Sequence, residues 1–243
     1  MTAEEKSWPW ERLNQGNASS HEVLATLLDP QPGERWLDVG TGGGGLAFSL
    51  ARRGADVVGV DVAEDGLVHA REETAARGLA AEFVLADAQA LPFEDAVFDG
   101  VASAFGVIFA SDQQSAASEL ARVCRPGGKL GLTLMPMDSR TGETFTALAR
   151  RGGPDPHPAT WAEKVEQLLG DTFDVEVERR DSLAPRHPSH TWEESVRTFR
   201  PLRDVVERVD EDEVATLRGE LEMIEERYRD RAASYFVVVG RRR

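Results

Sequence analysis

The sequence predicts an α/β protein built on a doubly wound, mostly parallel sheet, and three observations carry that expectation. The apolar run of Trp36, Leu37 and Val39 breaks at a glycine cluster, Gly40 and Gly42 to Gly45, after which Leu46 to Ala51 resumes at helical spacing. Asp56 to Asp61 is a second β-rich run, and it ends in an acid roughly 20 residues beyond the first glycine. Strands and helices then alternate with short links through a fifth strand, the pattern of parallel βαβ units. In such a protein a nucleotide-like ligand sits outside the carboxyl end of the first strand, where glycines let it approach the main chain.

The elements follow in order. Ser19 to Leu28 places Val23, Leu24, Leu27 and Leu28 at helical spacing behind a Ser-Ser cap, and Pro30, Pro32 and Gly33 end it. After the glycine loop and its helix, Gly54 turns the chain into the second strand. Leu67 to Arg77 is a helix closed by Gly78, and Ala81 to Ala86 is the third strand, ending at Asp87. Val97 to Ala104 is the fourth strand, following the turn at Pro92 to Asp95. Ser115 to Cys124 is helical, Arg125 to Gly128 is a turn, and Lys129 to Met135 is the fifth strand.

The second half is less regular. Gly142 to Arg151 and Ala159 to Leu169 read as short helices, Phe173 to Arg180 as a half-exposed strand, and Ser234 to Gly240 as a buried terminal strand. Between those strands, Trp192 to Tyr228 is helical and highly charged, with breaks near Pro201 and Asp210. A single domain over 1–243 is expected, with an N-terminal helical segment over 1–30 and a ligand-binding core over 34–135. The remaining strands, 136–243, carry a helical lid inserted at about 186–232. The run at Val205 to Arg231 reads as a solvated helix face with i, i+4 pairs.

Composition narrows the function classes. The chain has 243 residues, 41% of them hydrophobic, enough for a full core. Its formal net charge is −15, about −10 before Met135 and −5 after it, so neither part is basic. Phosphate-backbone recognition needs Lys and Arg in excess, which disfavours nucleic acid as a partner. The one cysteine, Cys124, rules out an internal disulfide and a cysteine metal cluster, fits a reducing compartment and reads as core. No window approaches a membrane span. The expectation is a cytoplasmic protein, monomeric or homodimeric, that acts on a small-molecule partner without nucleic acid, membrane or metal.

Three acids close the first three strand units: Asp38 within LDVGTG, Asp61 and Asp87. Together they line one rim of the sheet, and Asp61 stands at the interval where an acid accepts from ribose hydroxyls. That pattern alone suits NAD, FAD or S-adenosylmethionine. A single strand-end Asp is equally at home as a helix cap or turn residue.

Four segments, in this order, go further: LDVGTGGGG, VVGVDVAEDGL, FVLADAQALPFEDAVFD and ELARVCRPGGKLGL. Across about Glu34 to Met135 they resemble the class I S-adenosylmethionine-dependent methyltransferases, and SYFVVVG resembles the family's last strand. Among these they are most similar to the small-molecule group around quinone-biosynthesis and bacterial secondary-metabolite methyltransferases. The resemblance implies a Rossmann-like, seven-stranded sheet with an antiparallel last strand, and S-adenosyl-L-methionine as cofactor with S-adenosyl-L-homocysteine as product. It implies that Gly40, Gly42 and Gly44 line the methionine and ribose portion, with Asp38 orienting the loop or meeting the amino group. Asp61 would hold the ribose hydroxyls, Val62 would flank the adenine, and Asp87 and the Ala88 amide would read the adenine edge. The carbonyl of Ser103 or Ala104 would meet the methionine ammonium.

Methyl transfer from a sulfonium is an in-line displacement in which orientation alone can supply roughly 7–11 kcal/mol, so a catalytic side chain is optional. The candidates for a general base are His21, ahead of the glycine strand, and His157, His187 and His190 in proline-rich loops. Each loop histidine equally suits a solvent-facing position. Trp10, Phe105 and Trp192 are the aromatic candidates for an apolar acceptor pocket, although core packing would also explain them. Strand four ends in Ala-Phe-Gly-Val, without the motif of exocyclic-amine methylases. Two rivals remain: an S-adenosylmethionine-binding protein that catalyses a rearrangement or decarboxylation, or serves as a sensing or scaffold module, and an NAD(P)-dependent oxidoreductase.

Overall fold

In the computed structural model, which describes residues 10–155, 157–181 and 191–243, seven strands form one sheet. They are β1 (Arg35–Val39), β2 (Asp56–Asp61), β3 (Ala81–Leu85), β4 (Phe98–Ala104), β5 (Cys124–Leu134), β6 (Phe173–Asp181) and β7 (Ser234–Arg242). The order across the sheet is β3-β2-β1-β4-β5-β7-β6. The five N-terminal strands are mutually parallel, and β7 runs antiparallel to both β5 and β6. The chain winds outward from β1 to β3 and then returns to lay β4 beside β1. The strand order therefore reverses between β1 and β4, where open α/β sheets form their ligand crevice.

Helices cover both faces. One carries α1 (Trp10–Leu28), α2 (Gly45–Ala51) and α3 (Glu64–Arg77); the other carries α4 (Gln113–Val123), α5 (Arg140–Ala149) and α6 (Thr160–Leu169). Strand residues alternate between the two layers, as the two-residue period of a strand requires: Leu37 and Val39 join one cluster and Trp36 the other. Helix α1 begins nine residues ahead of Ser19. Its C-terminus is fixed at the amino edge of the sheet, where Lys129 Nζ donates to the Leu28 and Asp29 carbonyls at 2.7 and 2.8 Å. Its N-terminal turns consequently reach the carboxyl edge.

Because β6 runs parallel to β5, its last residue lies at the carboxyl edge, where β7 begins. Helices α7 (Trp192–Thr198), α8 (Arg200–Val206) and α9 (Glu211–Arg227) join these two ends. Among its described residues α9 buries only Leu217 and Ile224. Its charged residues do more than face water, because a polar seam binds it to α5. Arg140 pairs with Glu225 at 2.6 Å, Arg150 with Glu220 at 2.6 Å, and Arg151 with Glu213 and Glu220 at 2.5 and 2.8 Å. Tyr228 donates to Glu143 at 2.7 Å, and Arg227 pairs with the same carboxylate. An i, i+4 pair, Arg218 with Glu222 at 3.0 Å, accompanies the seam. No helix among the described residues is long and apolar enough to cross a membrane.

The Arg151 side chain is only 9% exposed between its two glutamates. Arg151→Ala is expected to destabilise the docking of α9 by about 1–2 kcal/mol. Hydrogen exchange would then accelerate over 211–227 and stay unchanged in β1 and β2; uniform acceleration would show that α9 is not a separable unit.

Candidate active site

The carboxyl end of β1 folds back on β2: the amides of Gly40 and Thr41 both donate to the Val60 carbonyl, at 2.8 and 2.9 Å. Gly40 has φ +68°, and a Cβ on Gly106 would lie 2.5 Å from its carbonyl oxygen. The segments after β1 and β4 thus meet backbone to backbone at the switch point, a contact only glycine allows. Ser103, fully buried, fastens the same junction: its hydroxyl donates to the Val39 carbonyl at 2.6 Å and accepts from the Val107 amide at 2.8 Å.

Asp38 lies beneath the loop, 1% exposed. Its Oδ2 accepts from the Thr41 hydroxyl at 2.6 Å and the Ala47 amide at 3.1 Å, while Oδ1 is buried with no partner among the described residues. Burial pushes its pKa up to about 7 against the pull of those hydrogen bonds, and the Asp61 charge adds to the rise. Asp61, half-buried on the rim, accepts from the Gly42 amide at 2.8 Å and the Ala63 amide at 2.9 Å, and burial raises its pKa as well. Each carboxylate oxygen keeps a lone pair beyond these bonds. Asp87 is exposed and accepts from the backbone and side-chain nitrogens of Gln89.

Beside Asp61 the rim turns apolar and open. Val62 is 69% exposed and Leu85, the Cα partner of Asp61 on β3, is 56% exposed. Bare aliphatic side chains next to an acid suit a ligand with a flat apolar ring and hydroxyl donors. The half-buried Ala88 follows on the same rim.

Helix α1 reaches into this region. The Trp10 ring occupies the space left by glycines: a Cβ on Gly42 would lie 2.5 Å from Cζ3, and one on Gly66 would lie 2.9 Å from Cζ2. Its indole N–H donates to Asp65 at 3.0 Å, and Asn14 Nδ2 donates to the Gly43 carbonyl at 2.8 Å. Part of the glycine cluster therefore makes room for the protein's own tryptophan. His21 packs against Gly45, 6% exposed, and burial lowers its pKa to about 4, so it is neutral at pH 7.

The remaining candidates separate. His157 has both ring nitrogens engaged: Nδ1 accepts from the Ala159 amide at 3.1 Å, which leaves the proton on Nε2, facing the Gly142 carbonyl at 3.2 Å. It ties α5 to the following loop. His187 and His190 lie outside the described residues. Phe105 sits at the end of β4, Ala104 is half-buried next to it, and Trp192 stands on α7 with the Arg218 guanidinium 5.8 Å from its ring centre. Sequence reasoning had no access to Gln89 or Asn14. Gln89 holds Asp87 and also accepts from Ser111 Oγ at 3.0 Å and the Asp112 amide at 2.6 Å. Asn14 belongs to no motif, Gln89 lies within the FVLADAQALPFEDAVFD segment without a role assigned to it, and both act through the contacts they make in the fold.

A sheet whose order reverses between β1 and β4, with a glycine turn and an acid at the end of β2, defines the class: a doubly wound α/β protein. Residues 37–132 match the methyltransferase domain family. An uncharacterised protein of Mycobacterium tuberculosis is 40% identical over 156 residues, covering 61% of this chain and 57% of that protein. A demethylmenaquinone methyltransferase of Thermus thermophilus is 48% identical over 105 residues, 42% of this chain and 48% of that one. The crystal structure of the YcgJ protein of Bacillus subtilis shares the fold, with a TM-score of 0.65 at 17% identity over 92% of this chain and 98% of that one. The chain spans about half the length of the curated relatives it matches. Over residues 37–132 the chain is thus similar to methyltransferase domains, and over nearly its whole length it shares the fold of a solved α/β protein.

The two buried groups make the ligand-free protein pH-sensitive in opposite senses. Asp38 has a folded pKa raised from 3.8 to about 7, so its contribution to stability is present below its unfolded value and lost as pH rises through 7. His21, lowered from 6.5 to about 4, contributes above 6.5 and loses that contribution as pH falls through 4. A variant at Asp38 separates the two, because the histidine contributions are common to both proteins. The substitution Asp38→Asn keeps a side-chain carbonyl that can accept from Thr41 and Ala47 but removes the titrating proton. The unfolding midpoint of the wild type should therefore fall relative to that variant between pH 6.5 and 8. A constant offset across that range would contradict the buried-acid assignment.

Proposed function

We propose that this protein transfers a methyl group from S-adenosylmethionine to a small, apolar or aromatic metabolite. The observation that carries the reading is Asp61, held on the rim by the Gly42 and Ala63 amides with exposed Val62 and Leu85 beside it. In this reading Asp61 accepts from the ribose hydroxyls, and Val62 and Leu85 flank the adenine. Asp87 and the Ala88 amide bind the adenine edge, and a carbonyl of Ser103 or Ala104 accepts from the ammonium. When bound, the cofactor supplies an electrophilic methyl on a sulfonium.

The chain's own part is positioning. His157 is committed to α5 and the loop beside it, and His21 is buried behind the glycine loop, so the proposed rate gain comes from alignment of the acceptor with the methyl. On the acceptor side, Phe109 is 52% exposed after β4 and packs its ring against Phe145, which in turn meets Phe199. An aromatic wall below a helical insertion fits an apolar acceptor, and the similarity to a demethylmenaquinone methyltransferase supports the same class.

Titration calorimetry with S-adenosylmethionine, S-adenosylhomocysteine and NADH tests the reading. Micromolar binding of the first two, with none of NADH, is expected, and binding of NADH alone overturns it. Asp61→Ala should weaken S-adenosylhomocysteine binding by about 1.5–3 kcal/mol while the fold is kept, because hydrogen bonds to a charged acceptor are lost. Unchanged affinity would remove Asp61 from the ribose.

A further inference from the structure

The chain between β3 and β4 is tied to α4 at two places. At its far end Arg122 donates to the Leu91 and Phe93 carbonyls at 2.9 and 2.7 Å and pairs with Asp95 at 2.9 Å. Glu119 accepts from the Leu91 amide at 2.6 Å and pairs with Arg122, also at 2.6 Å. These contacts fix the path of the loop. At its near end the tie is one side chain, Gln89, and what it holds is the carboxyl group of Asp87.

The direction of the Gln89 amide is fixed by its partners. Its oxygen meets the Asp112 amide at 2.6 Å and the Ser111 hydroxyl at 3.0 Å; a backbone N–H can only donate, so the NH2 group is the end that faces Asp87. Nε2 lies 2.9 Å from Oδ1 and 3.0 Å from Oδ2, and the Gln89 backbone amide donates to Oδ1 as well, at 2.9 Å. An ionised carboxyl group offers about four acceptor positions and no proton. Two contacts fall on Oδ1 and one on Oδ2, so the exposed Asp87 keeps an acceptor position on Oδ2, on a group that Gln89 stops from turning.

An acceptor held in this way discriminates between two purine edges. A 6-amino group donates to it, whereas a 6-oxo group sets lone pair against lone pair, the mismatch that hydrogen-bonding sites reject most strongly. A carboxyl group free to turn would move aside and reject the 6-oxo group less. We propose that Gln89 is the positioning residue that gives this site its preference for a 6-aminopurine, acting through Asp87 and not on the ligand. The inference rests on the assignment of Asp87 to adenine above and adds to it the side chain that makes Asp87 selective.

The test is calorimetry of S-adenosylhomocysteine and its 6-oxo counterpart, in which hypoxanthine replaces adenine, on the wild type, Gln89→Ala and Gln89→Glu, with unfolding midpoints in parallel. Glu keeps the length of the side chain and an oxygen for Ser111 and Asp112 but sets an acceptor where the NH2 group stood; Ala removes both ends. Arg122 and Glu119 still anchor the loop in each variant. The wild type should favour the amino base, and that ratio should fall about five-fold in both variants, chiefly because the 6-oxo ligand is rejected less. Equal weakening of both ligands, an unchanged ratio, or a wild type that does not distinguish the two bases overturns the proposal, while binding of S-adenosylhomocysteine keeps the cofactor reading standing. Binding of neither ligand by the wild type contradicts the cofactor reading itself, and this inference falls with it.

Discussion

The contact between Gly40 and Gly106 is the constraint on which the rest of the site depends. Two chain segments leave neighbouring parallel strands at the point where the strand order reverses, and they touch main chain to main chain. A Cβ on either would force them apart. With them in contact, the glycine loop folds onto the end of β2, its Gly42 amide reaches Asp61, and Ser103 can span Val39 and Val107. Phe105, one residue before Gly106, enters the turn through a left-handed angle.

The polar groups of the rim divide by depth. Asp38 and His21 are both almost fully buried, and burial moves them in the directions that make each neutral, the acid upward and the base downward. They support the loop from below, one through Thr41 and Ala47, the other by packing on Gly45. Asp61 and Asp87 stay nearer water, with acceptor capacity to spare for a polar ligand. The rim thereby combines a buried acid that shapes the glycine loop with more exposed acids that can bind.

The strands and the glycine loop were legible because burial on both faces writes short apolar runs, and the acids stand where those runs end. Helix α1 was read only from Ser19 because its first turns hold Asn14, Gly16 and Asn17, poor helix formers that tertiary contacts with the loop sustain. Part of the glycine cluster was legible as room for a ligand, yet at Gly42 and Gly66 the room is taken by Trp10, a contact between residues too distant in sequence to infer. The α9 charges read as a solvated face because periodicity shows which residues are polar without showing what they meet; here they meet α5. Gln89 and the left-handed Phe105 leave no signal in composition or spacing, since each is set by its neighbours in space.

The most direct measurement of the central claim is a crystal structure of the protein with S-adenosylhomocysteine. The account predicts the nucleoside on the carboxyl rim, its ribose hydroxyls on Asp61 and its adenine over Val62 and Leu85, with the amino-acid portion running toward Gly40 and Phe105. A ligand bound elsewhere, or one whose ribose turns away from Asp61, would contradict it.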